Sequence, residues 1–195
     1  MASLAVLRSR LENDESAKPF LDMIQQDSSR INDLITQMLE LAHPILSNPE
    51  PYSITGLVEE AMRMVEDQRR ERHAVIELTP TTSNSSSRVD GQMLCKAFCA
   101  LLHNAIESRE AKSRVELFVQ ETPEEFTVHI RDDGEGIPKE NHKKIFEPFF
   151  STRRRKAGLG LCFADRVIHA HGGQIQVHSN PGEGTEVTIR LPIVS

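Results

Sequence analysis

The sequence predicts an α+β protein, in which a mixed β-sheet carries its helices on one face and follows a partial helical hairpin. Residues 1–46 repeat apolar side chains at helical spacing. Residues 53–195 mix helical patterns with alternating strand patterns, and neighbouring strand patterns are separated by short turns. With 195 residues, the chain has room for a helical unit (1–46) and one ordinary domain (53–195).

The composition narrows the class of protein. Apolar residues make up 38% and charged residues 27%, which is typical of a globular rather than a disordered chain. A net charge of −6 argues against bulk nucleic-acid binding. The sequence has no apolar run of about 18 residues and no signal peptide, so we expect this chain to be cytoplasmic and free of membrane contact, even where the intact protein is membrane-anchored.

The helical unit predicts a short first helix and a longer second one. Leu4, Leu7 and Leu11 share one face of the first, and the second begins near Ser16 with Pro19 in its first turn. A first helix of this length cannot cover the apolar stripe of the second. We therefore expect a bundle completed by a second chain, as in a homodimer of the intact protein, or by further sequence. The stripe consists of Phe20, Ile24, Ile31, Leu34, Ile35, Met38, Leu41 and Ala42.

A linker rich in Pro and Ser leads into the second domain. Ser53 is placed to cap a helix that continues to Val65. The elements expected after it are a strand at 73–78, a polar loop at 81–87, a helix at 92–108, strands at 115–119 and 126–130, a helix at 157–171 and strands at 175–177 and 187–191.

Cys95, Cys99 and His103 recur at a four-residue spacing on the 92–108 helix. They are either metal ligands or a packed helix face. We favour the packed face, because three ligands on consecutive turns of one helix cannot easily surround an ion. Three scattered cysteines also fit a reducing compartment better than a disulfide framework.

Asp132 ends the strand pattern 126–132 on the face that carries the apolar side chains. A buried carboxylate needs a hydrogen-bond donor. Gly134 and Gly136 follow, and two glycines allow the backbone to lie against a flat ligand such as adenine, whose amine would donate to the carboxylate. The alternative is an aspartate satisfied within its own turn.

Two further features suit a nucleotide. The basic run 153–156 precedes Gly158, Leu159, Gly160 and a helix, and a glycine-started helix N-terminus suits phosphate oxygens, although such runs are usually solvated surface. Neither a dinucleotide fingerprint nor a Walker loop is present. Asn104, beside the apolar stripe of its helix, is either a buried hydrogen-bonding residue or a Mg²⁺ ligand.

The order of these features resembles the bacterial sensor histidine kinases of two-component signalling over roughly residues 53–195. The resemblance rests on Leu-Leu-His-Asn-Ala-Ile-Glu-Ser (101–108), Asp-Asp-Gly-Glu-Gly-Ile-Pro (132–138), Ile-Phe-Glu-Pro-Phe-Phe-Ser-Thr (145–152), Gly-Leu-Gly-Leu (158–161), His-Gly-Gly (171–173) and the closing Pro-Gly-Glu-Gly-Thr-Glu-Val-Thr-Ile-Arg-Leu-Pro (181–192).

The resemblance implies a Bergerat-type ATP-binding fold that holds Mg-ATP. In it Asn104 would chelate Mg²⁺ and Asp132 would hold the adenine. Residues 139–157 would form a flexible lid that carries Arg153 toward the phosphates. The other residues implied at the nucleotide are Gly134, Gly136 and Thr185 near the base, and Gly158, Leu159 and Gly160 along the triphosphate.

Three departures from the family pattern stand out. Ala100 replaces a frequent second Asn, Glu107 replaces a frequent Lys, and Lys156 replaces the first glycine of the second glycine box. Asn104 and Asp132 are both retained.

The helical unit resembles part of the family's dimerisation hairpin, but no histidine has the acid, basic residue and proline that follow the phosphoacceptor. We therefore expect a truncated protein-histidine kinase, or else a natural kinase-like protein with no acceptor of its own. In either case the chain cannot phosphorylate itself and has no catalytic side chain to assign. Its phosphoryl group would go to a histidine elsewhere, for relay to a response-regulator receiver domain. The histidines are 43, 73, 103, 129, 142, 169, 171 and 178.

Two other functions stay open. One is a different enzyme on the same fold, an ATPase like gyrase or MutL or a serine kinase of the anti-sigma type. Such ATPases carry a water-activating Glu where this chain has Ala100. The other is a dimerising, nucleotide-binding scaffold without catalysis.

Overall fold

The computed structural model describes residues 17–42, 49–79, 85–110, 112–153 and 156–194. The chain divides into two units, with the boundary between residues 43 and 44. The expected first helix, at Leu4 to Leu11, lies outside the described residues, as does most of the linker.

In the first unit, helix α1 spans Lys18–Ala42, and Pro19 stands in its first turn as expected. Several apolar side chains of α1 are about half exposed or more, while Leu21 is buried. A dimer through this helix stays a prediction. No described helix is long and apolar enough to cross a membrane. The exposed apolar residues are Phe20, Met23, Ile24, Ile31, Ile35, Met38 and Leu39.

The second unit is built on a mixed five-stranded sheet. From one edge to the other its strands are β2 (Val75–Leu78), β4 (Arg114–Glu121), β5 (Glu125–Asp132), β7 (Thr185–Pro192) and β6 (Gln174–Ser179). Strand β2 runs parallel to β4, and the other neighbours are antiparallel. The predicted mixed sheet is confirmed.

Four helices accompany this sheet: α2 (Ile54–Met64), α3 (Glu66–Glu71), α4 (Gly91–Ile106) and α5 (Gly160–Ala170). Ser53 caps α2 by accepting from the Gly56 amide, as predicted, and Asp90 caps α4 through the Met93 amide. Alternate residues of β4, β5 and β7 are buried under α4 and α5, so the helices cover one face. Two short 3₁₀ turns, Lys139–Asn141 and Lys144–Phe146, lie between β5 and α5.

The structure differs from the expectation at three short elements. Strand β1 (Glu50–Tyr52) lies in the predicted linker and pairs with β3 (Ser87–Val89), whose first residue ends the predicted polar loop. Helix α3 was not predicted. Residues far along the chain hold the β1–β3 ribbon, since the Ser87 hydroxyl donates to the Pro192 carbonyl and accepts from the Val194 amide. Pro51 is compatible with so short an edge strand.

Candidate nucleotide-binding site

Asp132 is the last residue of β5 and is 5% exposed. Its Oδ1 accepts from the Gly134 amide at 2.9 Å, and the amide of Thr185, its partner across the β5–β7 ladder, also donates to the carboxylate. Burial nevertheless raises the pKa of Asp132, because these hydrogen bonds do not fully replace lost hydration. The Asp132 carboxylate is therefore held in place, but its hydrogen bonds do not make up for the lost water. A further hydrogen-bond donor would stabilise its charge.

The wall beside Asp132 is formed by Gly134 and Ser108. A Cβ on Gly134 would lie 2.6 Å from Asp132 Oδ1 and closer still to Ser108, so only glycine fits. The Ser108 hydroxyl is buried and makes no hydrogen bond of regular geometry within the described ranges, although it lies near enough to help lower the pKa of Asp132. Sequence reasoning gave Ser108 no role, and its place just after the Asn104 helix was the available signal.

Thr185 and Ser179 form the opposite side of the Asp132 turn. The Ser179 hydroxyl donates to the Gly184 carbonyl at 2.7 Å and accepts from the Ile137 amide at 2.8 Å. Thr185 must then donate to Ser179, 3.0 Å away, which leaves the lone pairs of the Thr185 oxygen available. Sequence reasoning missed Ser179, because its partners lie up to 42 residues away.

Gly136 joins two loops in this structure. Its φ is +72°, and a Cβ there would overlap the Asn180 carbonyl. The Gly182 amide donates to the Glu135 carbonyl at 2.7 Å beside it. The turn after β5 is thus packed against and hydrogen-bonded to the β6–β7 turn. The contact of Gly136 with a purine stays a prediction.

The N-terminus of α5 has no side-chain cap. Its amides point outward at the positive end of the helix dipole. Gly158, at φ +69°, turns the chain into the helix, and its carbonyl accepts from Phe149. Leu159 is buried and anchors this turn. Gly160 faces Ala100 of α4, so the helix start lies directly on the α4 surface.

Asn104 lies half-buried on α4. Its amide makes no hydrogen bond to another described residue, so its oxygen is available to an external ligand. Across the part of the chain that the structure describes, no group of three His, Cys, Asp or Glu residues forms a metal cage. One amide oxygen suits Mg²⁺ shared with phosphates, since Mg²⁺ keeps few protein ligands.

Glu107, the C-cap of α4, meets the two described cations of the basic run. Its carboxylate lies 2.6 Å from Lys156 Nζ and 3.4 Å from Arg153 Nη1. It also accepts from Gln68 Nε2 at 2.7 Å. The structure therefore pairs Arg153, expected to face phosphates, with an internal carboxylate.

Cys95 and Cys99 pack against α2. Their sulfurs lie 3.6 and 3.8 Å from Met64 Sδ, and burial raises the pKa of Cys99 to about 12. His103 is hydrogen-bonded to the Gln68 amide, and burial lowers its pKa. This arrangement is the packed helix face that we favoured.

The residues present fit a purine nucleotide. The buried Ser108 hydroxyl borders the Asp132 carboxylate, as does the space at Gly134 that a Cβ would fill, which we call the glycine cradle. The uncapped start of α5 contacts α4 at Ala100, one turn before Asn104. A flat base with a donor amine and an anionic tail matches these two ends.

The fold and these two ends define an ATP-binding domain. The chain belongs to the family described as "Histidine kinase-, DNA gyrase B-, and HSP90-like ATPase", whose profile matches residues 89–195. Within that family the chain is similar to sensor histidine kinases.

The signal transduction histidine-protein kinase AtoS of Escherichia coli is 32% identical over 93% of this chain and 30% of its own length. Two solved structures share the fold at 21% identity. One is histidine kinase ThkA in complex with response regulator TrrA, with TM-score 0.77 over 98% of this chain and 57% of that one. The other is full-length ShkA with AMPPNP, with TM-score 0.80 over 100% and 46%. The chain spans only 26 to 42% of the lengths of eight curated relatives that it matches.

Proposed function

We propose that this chain binds Mg-ATP and transfers its γ-phosphoryl group to a histidine supplied by another segment or chain, for relay to an aspartate of a response regulator. The observation that carries the proposal is the buried Asp132 carboxylate beside the glycine cradle. The kinship with sensor histidine kinases supports it.

Recognition of the base falls to the residues around Asp132. The Asp132 carboxylate accepts a hydrogen bond from the exocyclic amine of adenine. This bond replaces hydration that the carboxylate loses through burial. Gly134 lets the base approach the backbone, and Gly136 shapes the turn that holds it. The hydroxyl of Ser108 and the oxygen of Thr185 remain for the ring edge or for a bridging water. In the same orientation, guanine would present its O6 acceptor where adenine presents its 6-amine, so a carboxylate at this position favours adenine.

The phosphates are held at the other end of the site. The turn Gly158-Leu159-Gly160 presents the α5 amides to them, and Arg153 neutralises their charge. Asn104 would hold Mg²⁺, which supplies charge neutralisation at the transferring phosphoryl group. Phosphoryl transfer needs mainly positioning and charge compensation, and these residues provide both.

Ala100 favours transfer over hydrolysis. It stands one turn before Asn104 and faces Gly160, so a methyl group occupies the place from which an acid would activate water. A Bergerat-type ATPase is therefore the weaker candidate.

The kinship with sensor histidine kinases supports a proposal for the acceptor and the partner. No histidine in residues 1–195 carries the phosphoacceptor pattern, so this chain alone is expected not to phosphorylate itself. ThkA, solved with a response regulator, supports a receiver domain as partner. We propose a cytoplasmic position for the domain and dimerisation through α1 in the intact kinase.

The test is a phosphorylation assay with γ-labelled ATP, this chain and a helical hairpin that carries a phosphoacceptor histidine. Label should appear on the hairpin with the wild type and be lost with Asp132→Asn. The matched control is Asp133→Asn, because Asp133 is the neighbouring carboxylate and bonds Arg109 and the Arg114 amide instead. Steady phosphate release without any acceptor would favour an ATPase, and ATP binding without label would refute the kinase proposal.

A further inference from the structure

Glu107 occupies an unfavourable position for an acid. It caps the C-terminus of α4, where the negative end of the helix dipole disfavours a carboxylate. Its side chain is only 10% exposed, so water compensates little of that charge. Its stability there therefore depends on nearby cations and donors.

The compensation comes from the lid. Lys156 Nζ lies 2.6 Å and Arg153 Nη1 3.4 Å from the Glu107 carboxylate, while Gln68 supplies a neutral hydrogen bond. Lys156 and Arg153 also lead directly into the Gly158 turn and the uncapped α5 N-terminus. The same two cations are thus within reach of two anions: the internal carboxylate and the phosphates of a nucleotide.

We propose that Glu107 sets the affinity of the site for polyphosphates by holding Arg153 and Lys156 until the nucleotide displaces it. This inference rests on the proposed function, since it concerns the same phosphate end. Binding of phosphates to these two cations must separate them from Glu107. The buried Glu107 carboxylate then loses the positive charges that compensate its own. By linkage, the cost appears as weaker binding of ligands with a phosphate tail and does not affect the base.

Glu107→Gln removes the charge and keeps an oxygen for the Gln68 bond. Because both cations are partly exposed, we expect ATP to bind about three- to tenfold tighter to this variant. Inorganic tripolyphosphate should gain by a similar factor, whereas the affinity for adenosine should not change. Titration calorimetry with these three ligands measures the difference directly.

The matched control is Glu77→Gln on β2, which removes one charge from another ion-paired glutamate, bonded to Arg114. It should leave all three affinities unchanged. A gain of the same size in Glu77→Gln would mean that net charge alone acts, and would overturn the inference.

A second measurement needs no ligand. In Glu107→Gln no carboxylate holds the Arg153 and Lys156 side chains, so they should fit the trypsin active site more readily. Trypsin should therefore cleave after both residues faster in this variant than in the wild type. Mass spectrometry identifies the two cuts. Unchanged cleavage, or equal ATP affinity in both proteins, overturns the inference alone. Failure of both proteins to bind ATP overturns the proposed function and the inference together.

Discussion

The imidazole Nε2 of His171 accepts a hydrogen bond of 2.9 Å from the backbone amide of Asp90. His171 ends α5, and Asp90 caps α4, so one buried ring joins the two helices that flank the candidate site. Its Nδ1 lies 2.7 Å from the Val167 carbonyl and must donate to it. The ring is therefore held as one neutral tautomer.

The first prediction concerns this ring. His171→Ala should lower the free energy of unfolding by about 1–3 kcal/mol, because it leaves a buried amide without an acceptor. Urea denaturation measures the loss. His169→Ala, on the same helix but 57% exposed, should cost less than about 0.5 kcal/mol. Equal losses in the two variants would contradict the prediction.

Asp132 should give the protein a characteristic pH dependence. Burial raises its pKa in the folded protein above 3.8, so its contribution to stability is fully present below about pH 3.8 and is lost as pH rises through the folded pKa. The wild type should therefore lose stability relative to Asp132→Asn over that interval. Urea midpoints of both proteins, measured from pH 4 to 7, check the sign; a difference that grows in favour of the wild type with pH would refute it.

The same substitution should impair the binding of adenine. The asparagine amide presents a donor or a weaker acceptor to the adenine amine, and the affinity for ATP should fall roughly ten- to hundredfold. Titration calorimetry of a folded variant tests this. If ATP binds this variant as tightly as the wild type, the adenine base does not contact this side of the site.

Asn104→Ala should abolish the Mg²⁺-dependent part of ATP binding. The amide makes no hydrogen bond to another described residue, so the unfolding free energy should stay within about 0.5 kcal/mol. ATP titrated with Mg²⁺ should bind the variant at least roughly tenfold more weakly than the wild type, whereas the two should agree in EDTA. Retention of the full Mg²⁺ effect would mean that Asn104 is not the ligand.

Two glycines should respond to alanine in opposite directions. Gly134→Ala would force a Cβ into Ser108 and Asp132 and should cost about 1–3 kcal/mol as well as ATP binding. Gly56→Ala, in α2, meets only ordinary contacts of 3.6 Å or more and should stabilise the protein by about 0.5–1 kcal/mol. Thermal and urea denaturation of both variants decide this. A tolerated alanine at position 134 would show that the cradle can relax.

Much of this domain was predictable from the chain alone, because its signals are local. Alternation along 126–132 placed Asp132 on the buried face, and helical spacing predicted α2, α4 and α5. Ser53, as an N-cap residue, indicated where α2 begins. The glycine-rich segments, read in order, indicated the family that the comparisons confirm.

Other features depended on residues far apart in sequence. The β1–β3 ribbon forms because the end of the chain reaches Ser87, 105 residues before its partner Pro192. The parallel pairing of β2 with β4 left no local trace either.

The sequence by itself determined which candidate residues stand at each end of the proposed site, since period and residue type are properties of short segments. Only the tertiary structure decided what surrounds them: the Thr185 amide and the buried Ser108 hydroxyl beside Asp132, and Lys156 beside Glu107. Partnership between side chains is a matter of distance in space, and chain folding, rather than spacing along the chain, sets that distance.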